Sequence, residues 1–409
     1  MIFFQKREIY ATWAWILLLF FLPLPGLLLY FFTGQEMKRT RKEEKEYVGK
    51  TTADNQVEIF VWGEEKFKSL LMDIERAKKE ILIQYYIIRK DELLGLLEKS
   101  LLKKAEEGIK IKILYDSFGS RQIGKKDWKK MKKKGNEIKK YAEKKRVPFL
   151  FSLNHRNHRK IVVIDQYISY MGGFNIGKEY LGMDPKFGKW RDTHLKITGS
   201  TAQVLRQVFF QDWGKDNVRE ECERGGGGTT LQIVTSGPFS KAPHVRNTYL
   251  RLIAQAREKI WIQTPYFIPD TSVMTALKLA LLSGKEVKIM IPCKPDHLFV
   301  YRATLSYVRE LEEMGAEVYI YNGGFLHAKG IIMDGIIYCY GSANLDMRSF
   351  YLNHEINAII YENTKVQEMS CIYERDLQEC SLLKEMESST KIPRIRIKEQ
   401  LCRLLSPLL

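Results

Sequence analysis

The chain has 409 residues, enough for two domains with sizeable cores, and its 45% hydrophobic content is typical of a folded rather than a disordered protein. Its formal net charge of +17 indicates an anionic partner, such as a membrane surface, a nucleic acid or an anionic substrate. The cysteines form no C-x-x-C pair, which favours reduced thiols in a cytosolic domain over disulfides or a zinc site.

The first element is an apolar segment over residues 9–32 that contains no charged residue. As one helix it would span about 36 Å, more than the roughly 30 Å of a bilayer core, so we predict an N-terminal transmembrane helix rather than a cleaved signal peptide. Pro23, Pro25 and Gly26 leave open a kink or a re-entrant hairpin. More Lys and Arg follow the segment than precede it, which predicts a cell-membrane protein with a cytoplasmic body.

After an anchor over residues 1–36 and a charged linker over 37–56, the chain is predicted to form two halves. The first half covers 57–224 and the second 225–409, with a run of glycines at 225–228 as the joint. Strands and helices alternate in both halves, which is typical of an α/β fold. The predicted strands cover residues 81–86, 109–115, 260–263, 286–291 and 317–321, and the predicted helices cover 67–78, 93–107, 250–258, 273–282 and 305–314.

The most basic stretch of the chain lies in the first half, at residues 125–146. One interpretation is a solvated helical surface, and the other is a dock for anionic lipid head groups. The apolar N-terminal segment favours a membrane over a nucleic acid as the anionic partner.

Two sequence patterns occur once in each half and indicate an internal duplication. In the first pattern, Ala is followed four residues later by Ile-x-Ile-Gln, at 77–84 and again at 256–263. The second pattern places Lys, Asp, Gly and Asn at the same offsets after a His. Its two copies are His158, Lys160, Asp165, Gly172 and Asn175, and His327, Lys329, Asp334, Gly341 and Asn344.

The spacing of the second pattern predicts a β-hairpin. Alternation along a strand puts His and Lys on one face, and the glycine-rich end of the returning strand brings Asn back beside them. Each copy is then half a site, and two halves facing each other would form one pocket with two His, two Lys and two Asn.

These residue types suit nucleophilic substitution at phosphorus. One imidazole can attack phosphorus while the other exchanges a proton with the leaving or entering alcohol. Lys160, Lys329, Asn175 and Asn344 can donate hydrogen bonds to the non-bridging oxygens, so no metal or cofactor is expected. His155 and His158 form an H-x-x-H pair, but no acidic cluster nearby supports a metal site. His194 is left open between lining the pocket and capping a strand.

The duplicated pattern resembles the HKD motif of the phospholipase D superfamily. Further segments resemble the bacterial cardiolipin synthases within it, at 154–160, 172–177, 190–194, 263–270, 348–350 and 406–409. The resemblance implies two pseudo-symmetric α/β sandwich halves facing each other around one active site, after a transmembrane helix. It also implies transfer of a phosphatidyl group from one phosphatidylglycerol to another through a phosphohistidine, giving cardiolipin and glycerol.

The resemblance implies a role for each site residue. The catalytic set is His158, Lys160, Asp165, His327, Lys329 and Asp334. Asn175, Asn344 and Ser342 are expected to bind phosphate, and Asp192 and Glu355 to orient the histidines. Because Asp165 and Asp334 end the strand on the far side of each hairpin, we assign them a structural role within this set. The resemblance favours His158 as the nucleophile and His327 as the acid and base. Anionic membrane lipids are the other expected partners, and no nucleic acid is expected.

Two features depart from the family pattern. Gly330 stands where the family commonly has Thr or Ser after the second Lys, and Ser342 is expected to replace that hydroxyl in part. The family usually has two N-terminal apolar segments, whereas this chain shows one. A phospholipase D hydrolase and a silent membrane scaffold are the alternatives, and the intact motifs argue against the scaffold. A nuclease is disfavoured because it needs no apolar anchor.

Overall fold

The computed structural model describes residues 9–33, 48–124, 126–141, 155–214, 227–361, 364–386, 392–404 and 406. The chain divides into two compact units. The smaller unit comprises Met1–Glu44 and Glu143–His155, and the larger comprises Lys45–Ala142 and Arg156–Leu409. Apart from residues 143–155 of the first half, both sequence halves lie in the larger unit.

The smaller unit contains two helices, α1 (Ile9–Phe21) and α2 (Pro23–Thr33), where the sequence predicted one. The break falls at Pro23, where the sequence left a kink or a hairpin open, because Pro23 lacks the N–H that would continue α1. The ring centroids of Trp15 and Tyr30 lie 5.2 Å apart, so the two helices form a hairpin. In the part of the chain that the structure describes, no helix combines the length and the apolar character that crossing a membrane requires.

The first half of the larger unit contains strands β1–β9 and helices α3–α6. The strands are β1 (Val48–Phe60), β2 (Glu80–Tyr85), β3 (Lys110–Asp116), β4 (Glu137–Tyr141), β5 (Arg156–Asn157), β6 (Ile161–Ile164), β7 (Ile168–Gly172), β8 (Trp190–Arg191) and β9 (His194–Thr198). The helices are α3 (Gly63–Arg76), α4 (Glu92–Glu106), α5 (Lys129–Lys133) and α6 (Thr201–Trp213).

The second half contains strands β10–β20 and helices α7–α12. The strands are β10 (Thr229–Ser236), β11 (Lys259–Gln263), β12 (Phe267–Ile268), β13 (Glu286–Pro292), β14 (Glu317–Tyr321), β15 (Phe325–Leu326), β16 (Gly330–Met333), β17 (Ile337–Gly341), β18 (Leu345–Asp346), β19 (Asn353–Tyr361) and β20 (Cys380–Leu382). The helices are α7 (His244–Gln255), α8 (Thr271–Leu282), α9 (Leu298–Glu312), α10 (Met347–Tyr351), α11 (Thr364–Gln378) and α12 (Ile392–Leu404). The alternation confirms the predicted α/β class, and every predicted strand overlaps an observed one.

The strand order repeats between the halves and shows the internal duplication. The first half runs β1-β9-β7-β6-β2-β3-β4, and the second runs β10-β19-β17-β16-β11-β13-β14. Strands β1 and β10 pair antiparallel, so the two sheets are continuous through this pair. The linker predicted over 37–56 is therefore corrected for residues 48–56, which belong to β1, while residues 37–47 lie outside the described residues. The first residues of β1 are mostly polar and gave no strand signal in the sequence. Backbone hydrogen bonds to β10 stabilise them as a strand.

Three large hydrophobic clusters form the core: one in each half and one between the two sheets. Helices α3 and α4 pack on one face of the first sheet, and α7, α8 and α9 pack on one face of the second. Between the sheets, α6 and α11 share a core with strands of both halves, including Val163 of β6 and Tyr338 of β17. This shared core fixes the two motif hairpins relative to each other.

The basic stretch predicted as a helical surface is only partly helical. Within residues 126–141 it consists of the short helix α5 and strand β4, which pairs with β3. Trp128 and Met131 are buried, whereas most of the lysines are exposed. Residues 125 and 142–146 lie outside the described residues, and the lipid-docking interpretation stays a prediction.

Candidate active site

Each motif histidine is attached through its backbone to the opposite half. Strand β5, just before His158, pairs in parallel with the start of β19, and the His158 N–H donates to the His354 carbonyl at 3.0 Å. Strand β15, just before His327, pairs with β8, and the His327 N–H donates to the Arg191 carbonyl at 2.7 Å. In both cases the bonded carbonyl belongs to the residue that precedes a predicted orienting carboxylate.

The side chains repeat this exchange between the halves. His158 Nδ1 lies 3.0 Å from Oε1 of Glu355, and His327 Nδ1 lies 2.6 Å from Oδ2 of Asp192. The structure thus brings both predicted carboxylates to the histidines, each paired with the histidine of the other half. Because a carboxylate accepts the Nδ1 hydrogen, the lone pair of each neutral ring lies on Nε2, the nitrogen suited to attack or proton transfer.

Both carboxylates are buried and held by further donors. Asp192 accepts from the Thr193 N–H at 2.8 Å and the Tyr340 hydroxyl at 3.2 Å. A Cβ at Gly173 would stand 2.0 Å from Oδ1 of Asp192, so only glycine leaves room for this carboxylate. Burial alone would raise the pKa of Asp192, but the charge of Lys329 and the hydrogen bond from His327 hold it below its usual value.

Glu355 is held in the same way. It accepts from Nδ2 of Asn353 at 3.1 Å and from the hydroxyl of Ser342. Burial would raise its pKa, but the charge and hydrogen bond of His158 and the charge of Lys160 lower it overall. Both orienting groups are therefore carboxylates at neutral pH.

The two lysines are fully buried behind the histidines. Lys160 Nζ donates to the His158 carbonyl at 2.6 Å, and Lys329 Nζ donates to the His327 carbonyl. Lys329 Nζ also lies 2.7 Å from His327 Nδ1. Because the Nδ1 hydrogen is directed to Asp192, these two nitrogens form no hydrogen bond, and the charge of Lys329 disfavours protonation of the ring. Burial lowers the pKa of Lys160 to about 7 and that of Lys329 to about 8.

The histidines open into one cavity of about 590 Å³ that both halves line. Asn175 and Asn344 line it with them, as predicted. Tyr86 stands with its ring centroid 5.0 Å from that of His158, and Trp190 stands 5.1 Å from His327. The sequence predicted neither aromatic ring as part of the site, although Trp190 lies in the family-like segment 190–194.

Seven predicted site residues lie outside the cavity lining. Four of them contact the histidines as described above, and these are Lys160, Lys329, Asp192 and Glu355. The other three are Asp165, Asp334 and Ser342. Asp165 accepts from the N–H groups of Lys78 and Lys79 at 2.7 and 2.6 Å, and Asp334 makes the same contacts with residues 257–259. Both aspartates tie a hairpin turn to the start of a neighbouring strand. The Ser342 hydroxyl donates to Glu355 and lies outside the cavity lining, and its phosphate-binding role stays a prediction.

The departure at Gly330 has a packing cause. A Cβ there would lie 2.8 Å from the ring of Tyr338, which is buried. In the first motif, Ile161 corresponds to Gly330, and Ser169 corresponds to Tyr338. The first motif therefore has the large residue on the first strand of its hairpin, and the second motif has it on the returning strand. Tyr338 fills the space that a side chain at residue 330 would need.

The repeated Gln residues belong to buried ion-pair networks that the sequence analysis did not identify. Gln84 donates to Asp212 at 2.7 Å, and Asp212 also accepts from Arg159 at 2.7 Å. In the second half, Gln263 donates to Asp376 at 2.8 Å, and Asp376 pairs with Arg191. Arg159 lies between His158 and Lys160, and Arg191 precedes Asp192. The two networks therefore fix the backbone next to these site residues.

The sequence did not settle whether His194 lines the pocket or caps a strand. His194 is fully buried in β9 and does not line the cavity, whereas His297 does. Across the described ranges, no group of three or more His, Cys, Asp or Glu side chains is arranged to hold a metal.

The electrostatics of the free site favour neutral imidazoles. Burial lowers the pKa of His158 below its usual value of 6.5, against the opposing charge of Glu355. Burial and the charge of Lys329 lower the pKa of His327 to about 4. A bound phosphodiester anion would favour the protonated ring, so the site can hold one nucleophilic and one protonated imidazole once substrate is present.

Comparison with known proteins gives consistent matches over the whole chain. Residues 70–213 and 249–377 match the family described as cardiolipin synthase, PLD-like domain, and residues 1–35 match the phospholipase D-nuclease N-terminal family. The chain is 40% identical to the major cardiolipin synthase of Bacillus subtilis (strain 168), with 100% of this chain and 95% of that protein covered. A cardiolipin synthase of Listeria welshimeri is also 40% identical, with the same coverage.

A solved structure supports the fold. The phosphatidylserine synthase of Haemophilus influenzae Rd KW20 superimposes with a TM-score of 0.68 at 17% identity, covering 86% of this chain and 93% of that one. At this identity the similarity concerns the fold alone.

Proposed function

The chain belongs to the cardiolipin synthases of the phospholipase D superfamily, which are phosphatidyltransferases, and on this premise we propose that phosphatidylglycerol is both its donor and its acceptor. The observation that supports the proposal is the pair of carboxylate-oriented histidines that open into one cavity. One imidazole can hold the phosphatidyl group while the other serves both alcohols in turn.

In the first step, Nε2 of His158 attacks the phosphorus of phosphatidylglycerol. The bond from phosphorus to the headgroup oxygen breaks, and His327 gives its proton to that oxygen as glycerol leaves. The product is a phosphatidyl group covalently bound to His158. Glu355 keeps the Nδ1 hydrogen on His158 and stabilises the positive charge that the ring gains.

In the second step, a hydroxyl of a second phosphatidylglycerol takes the place of the departed glycerol. His327, now neutral, removes the proton of that hydroxyl as its oxygen attacks phosphorus, and the bond to His158 breaks. Cardiolipin leaves, and His327 is protonated again for the next cycle. No step requires a group outside the two lipids and the chain.

Charge on the non-bridging oxygens is stabilised by Asn175, which lines the cavity, and by the two lysines that contact the backbone of the histidines. Lys160 and Lys329 are buried, where a positive charge acts with little screening by water. The amide of Asn175 is positioned by the Ile87 N–H at 3.1 Å and by the Tyr180 hydroxyl at 3.0 Å. We assign these three side chains to the phosphate.

The membrane is the source of both lipids, and apolar surface of the protein supports attachment to it. In the hairpin, the exposed large apolar side chains are Trp13, Leu17, Phe20, Phe21, Leu22, Leu24 and Leu27. Helix α12 exposes a second stripe on one face, formed by Ile397, Leu401 and Leu404. We place the hairpin in the membrane as a re-entrant anchor and the larger unit on the cytoplasmic side.

The proposal is tested with the purified protein in detergent and phosphatidylglycerol as the only lipid. Equal amounts of cardiolipin and free glycerol are expected. Phosphatidic acid as the sole lipid product would show that water replaces the acceptor and would overturn the transferase proposal. Replacing phosphatidylglycerol with phosphatidylethanolamine in a parallel reaction checks the identity of the donor.

A further inference from the structure

The two walls of the cavity carry opposite charge although the motifs are symmetric. The first half contributes several cations and one acid, which are Arg89, Arg121, Arg156, Lys186 and Glu179. The second half contributes Asp296 and Asp346 with a single arginine, Arg348. Symmetric catalytic residues therefore face an asymmetric cavity.

The second wall also presents hydrogen-bond acceptors without donors. Asn344 is 5% exposed, and its Nδ2 donates to Oδ2 of Asp346 at 3.2 Å, which leaves its Oδ1 unpartnered within the described residues. Asn353 is 7% exposed, and its Nδ2 donates to Glu355. Its Oδ1 also accepts no hydrogen bond from the described residues. Both residues line the cavity. Buried carbonyl oxygens of this kind are matched by a ligand that brings hydrogen-bond donors.

The two carboxylates of this wall are fixed in place. Asp346 begins helix α10 and accepts from the Ser349 N–H at 2.6 Å. Asp296 accepts from the Tyr266 hydroxyl and from the His297 N–H at 2.8 Å. Asp346 accepts from Nδ2 of Asn344, the asparagine of the second motif, at 3.2 Å, so this carboxylate lies beside the second motif.

We infer that Asp296, Asn344, Asp346 and Asn353, here called the carboxylate wall, form the subsite for the diol of the glycerol headgroup. A glycerol headgroup is uncharged and brings two hydroxyl donors to a wall of acceptors. The inference rests on the proposed function, in which the headgroup oxygen leaves on the side of His327. The incoming glycerol hydroxyl reacts at the same place in reverse, so one subsite serves both donor and acceptor.

The carboxylate wall also explains why Asn344 differs from its counterpart. In the first half, Asn175 has its Oδ1 bonded to the Ile87 N–H and its Nδ2 bonded to Tyr180. In the second half, Asn344 turns its amide nitrogen to Asp346 and presents an acceptor. We therefore move Asn344 from the phosphate-binding role that the sequence predicted to recognition of the headgroup.

The test compares two donors with the purified, full-length protein. Phosphatidylglycerol has a leaving group with two further hydroxyls, whereas phosphatidyl-p-nitrophenol has none. Asp296→Asn and Asp346→Asn should each lower kcat/KM for glycerol release by about 10–100-fold, the loss expected for hydrogen bonds to a charged acceptor. For release of p-nitrophenol, both variants should stay within about threefold of the wild type. Asn also caps a helix well, so Asp346→Asn keeps the start of α10.

The nitrophenyl donor reports whether each variant is folded and chemically competent. Glu368→Gln removes one charge from an exposed ion pair on α11 and is the matched control, with both donors unaffected. Equal losses on both donors would show that the wall acts in chemistry or folding, and no loss on either would show that it does not contact the headgroup. Both results overturn the inference. Release of glycerol is measured before the acceptor enters, so the test stands even if water proves to be the acceptor and the transferase proposal fails.

Discussion

His158 and Glu355 are 197 residues apart in the chain, yet Nδ1 of the histidine lies 3.0 Å from the glutamate carboxylate. His327 and Asp192 form the corresponding pair in the opposite direction. Each half therefore supplies a reacting imidazole to its own motif and an orienting carboxylate to the other motif. The site is complete only when both halves are folded together.

Replacement of Glu355 should impair chemistry more than binding. In Glu355→Gln, the side-chain amide can donate to Nδ1 and favour the tautomer with hydrogen on Nε2, which cannot attack. We expect kcat to fall by about 10²–10⁴-fold with KM changed little, as for other histidines that lose an orienting carboxylate. Glu368→Gln serves as the control for loss of one carboxylate. A decrease in kcat smaller than threefold would show that Glu355 does not set the tautomer.

Replacement of the two histidines should block different steps of the reaction. His158→Ala should give no phosphatidyl-enzyme, because the nucleophile is missing. His327→Ala should still form the intermediate from phosphatidyl-p-nitrophenol, whose leaving group needs no proton, and should then turn over slowly because the acceptor lacks its base. The measurement is acid-labile, base-stable incorporation of radiolabelled phosphate with peptide mapping. Label on His327 in the His158→Ala variant would reverse the assignment.

The pH dependence should report the buried lysines. Burial lowers the pKa of Lys160 to about 7 and of Lys329 to about 8, so the free protein loses these charges as pH rises through that range. We expect the basic limb of kcat/KM to lie at or below pH 7–8, because the lysine charges are lost in that range and the protonated His327 that the first step needs is already a minor form in the free site. The limb of kcat should lie at higher pH because a bound phosphodiester favours the protonated forms. On the acidic side, the limb should lie below 6.5 because burial lowers the pKa of His158.

This profile is measured in mixed micelles at constant ionic strength from about pH 5 to 10, a range that brackets histidine and lysine. A basic limb of kcat/KM near the usual lysine value of 10.5 would contradict the lowered pKa values.

Residue 330 and residue 338 should be energetically coupled. Gly330→Thr places a Cβ 2.8 Å from the Tyr338 ring, and we expect the free energy of unfolding to fall by about 1–3 kcal/mol, as for other overpacked cores. The double variant Gly330→Ile with Tyr338→Ser copies the first motif and should lose less than the sum of its single variants. Denaturant unfolding of all three measures this coupling. Additive losses would show that the two positions pack independently.

The hairpin should govern membrane attachment. Deletion of residues 1–36 removes α1 and α2 but leaves β1, which begins at Val48. We expect much of the shortened protein to move to the soluble fraction, with a residual bound part that decreases with salt because exposed lysines bind anionic lipid. Fractionation at low and high salt measures both parts. Full retention on membranes at high salt would show that the hairpin is not the main anchor.

The sequence predicted local elements well because their signals are local. Apolar strands such as β2 and β11, and the hairpin of each motif, follow from periodicity within a few residues. The first part of β1, residues 48–56, was predicted as a linker because its residues are mostly polar. Its extended structure depends on pairing with β10, which is distant in sequence. The helix break at Pro23 was left open because a proline permits either a kink or a turn.

The site was predicted in its residues but not in its pairing. Offsets within each motif identified His158, Lys160, His327 and Lys329, since both copies share them. No offset tells which carboxylate meets which histidine, because that depends on how two halves dock. The same limit applies to Ser342, whose hydroxyl was assigned to phosphate and meets a carboxylate from β19.

The exchange of carboxylates between halves also fixes when the protein can first act. Ribosomes make the chain from its N-terminus, so His158 is present long before Glu355, and Asp192 long before His327. Until β19 has been made and has paired with β5, His158 lacks Glu355, the carboxylate that keeps the lone pair of its ring on Nε2. On the proposed mechanism, a nascent chain therefore lacks an oriented nucleophile, and chains that end before residue 355 are expected to be inactive.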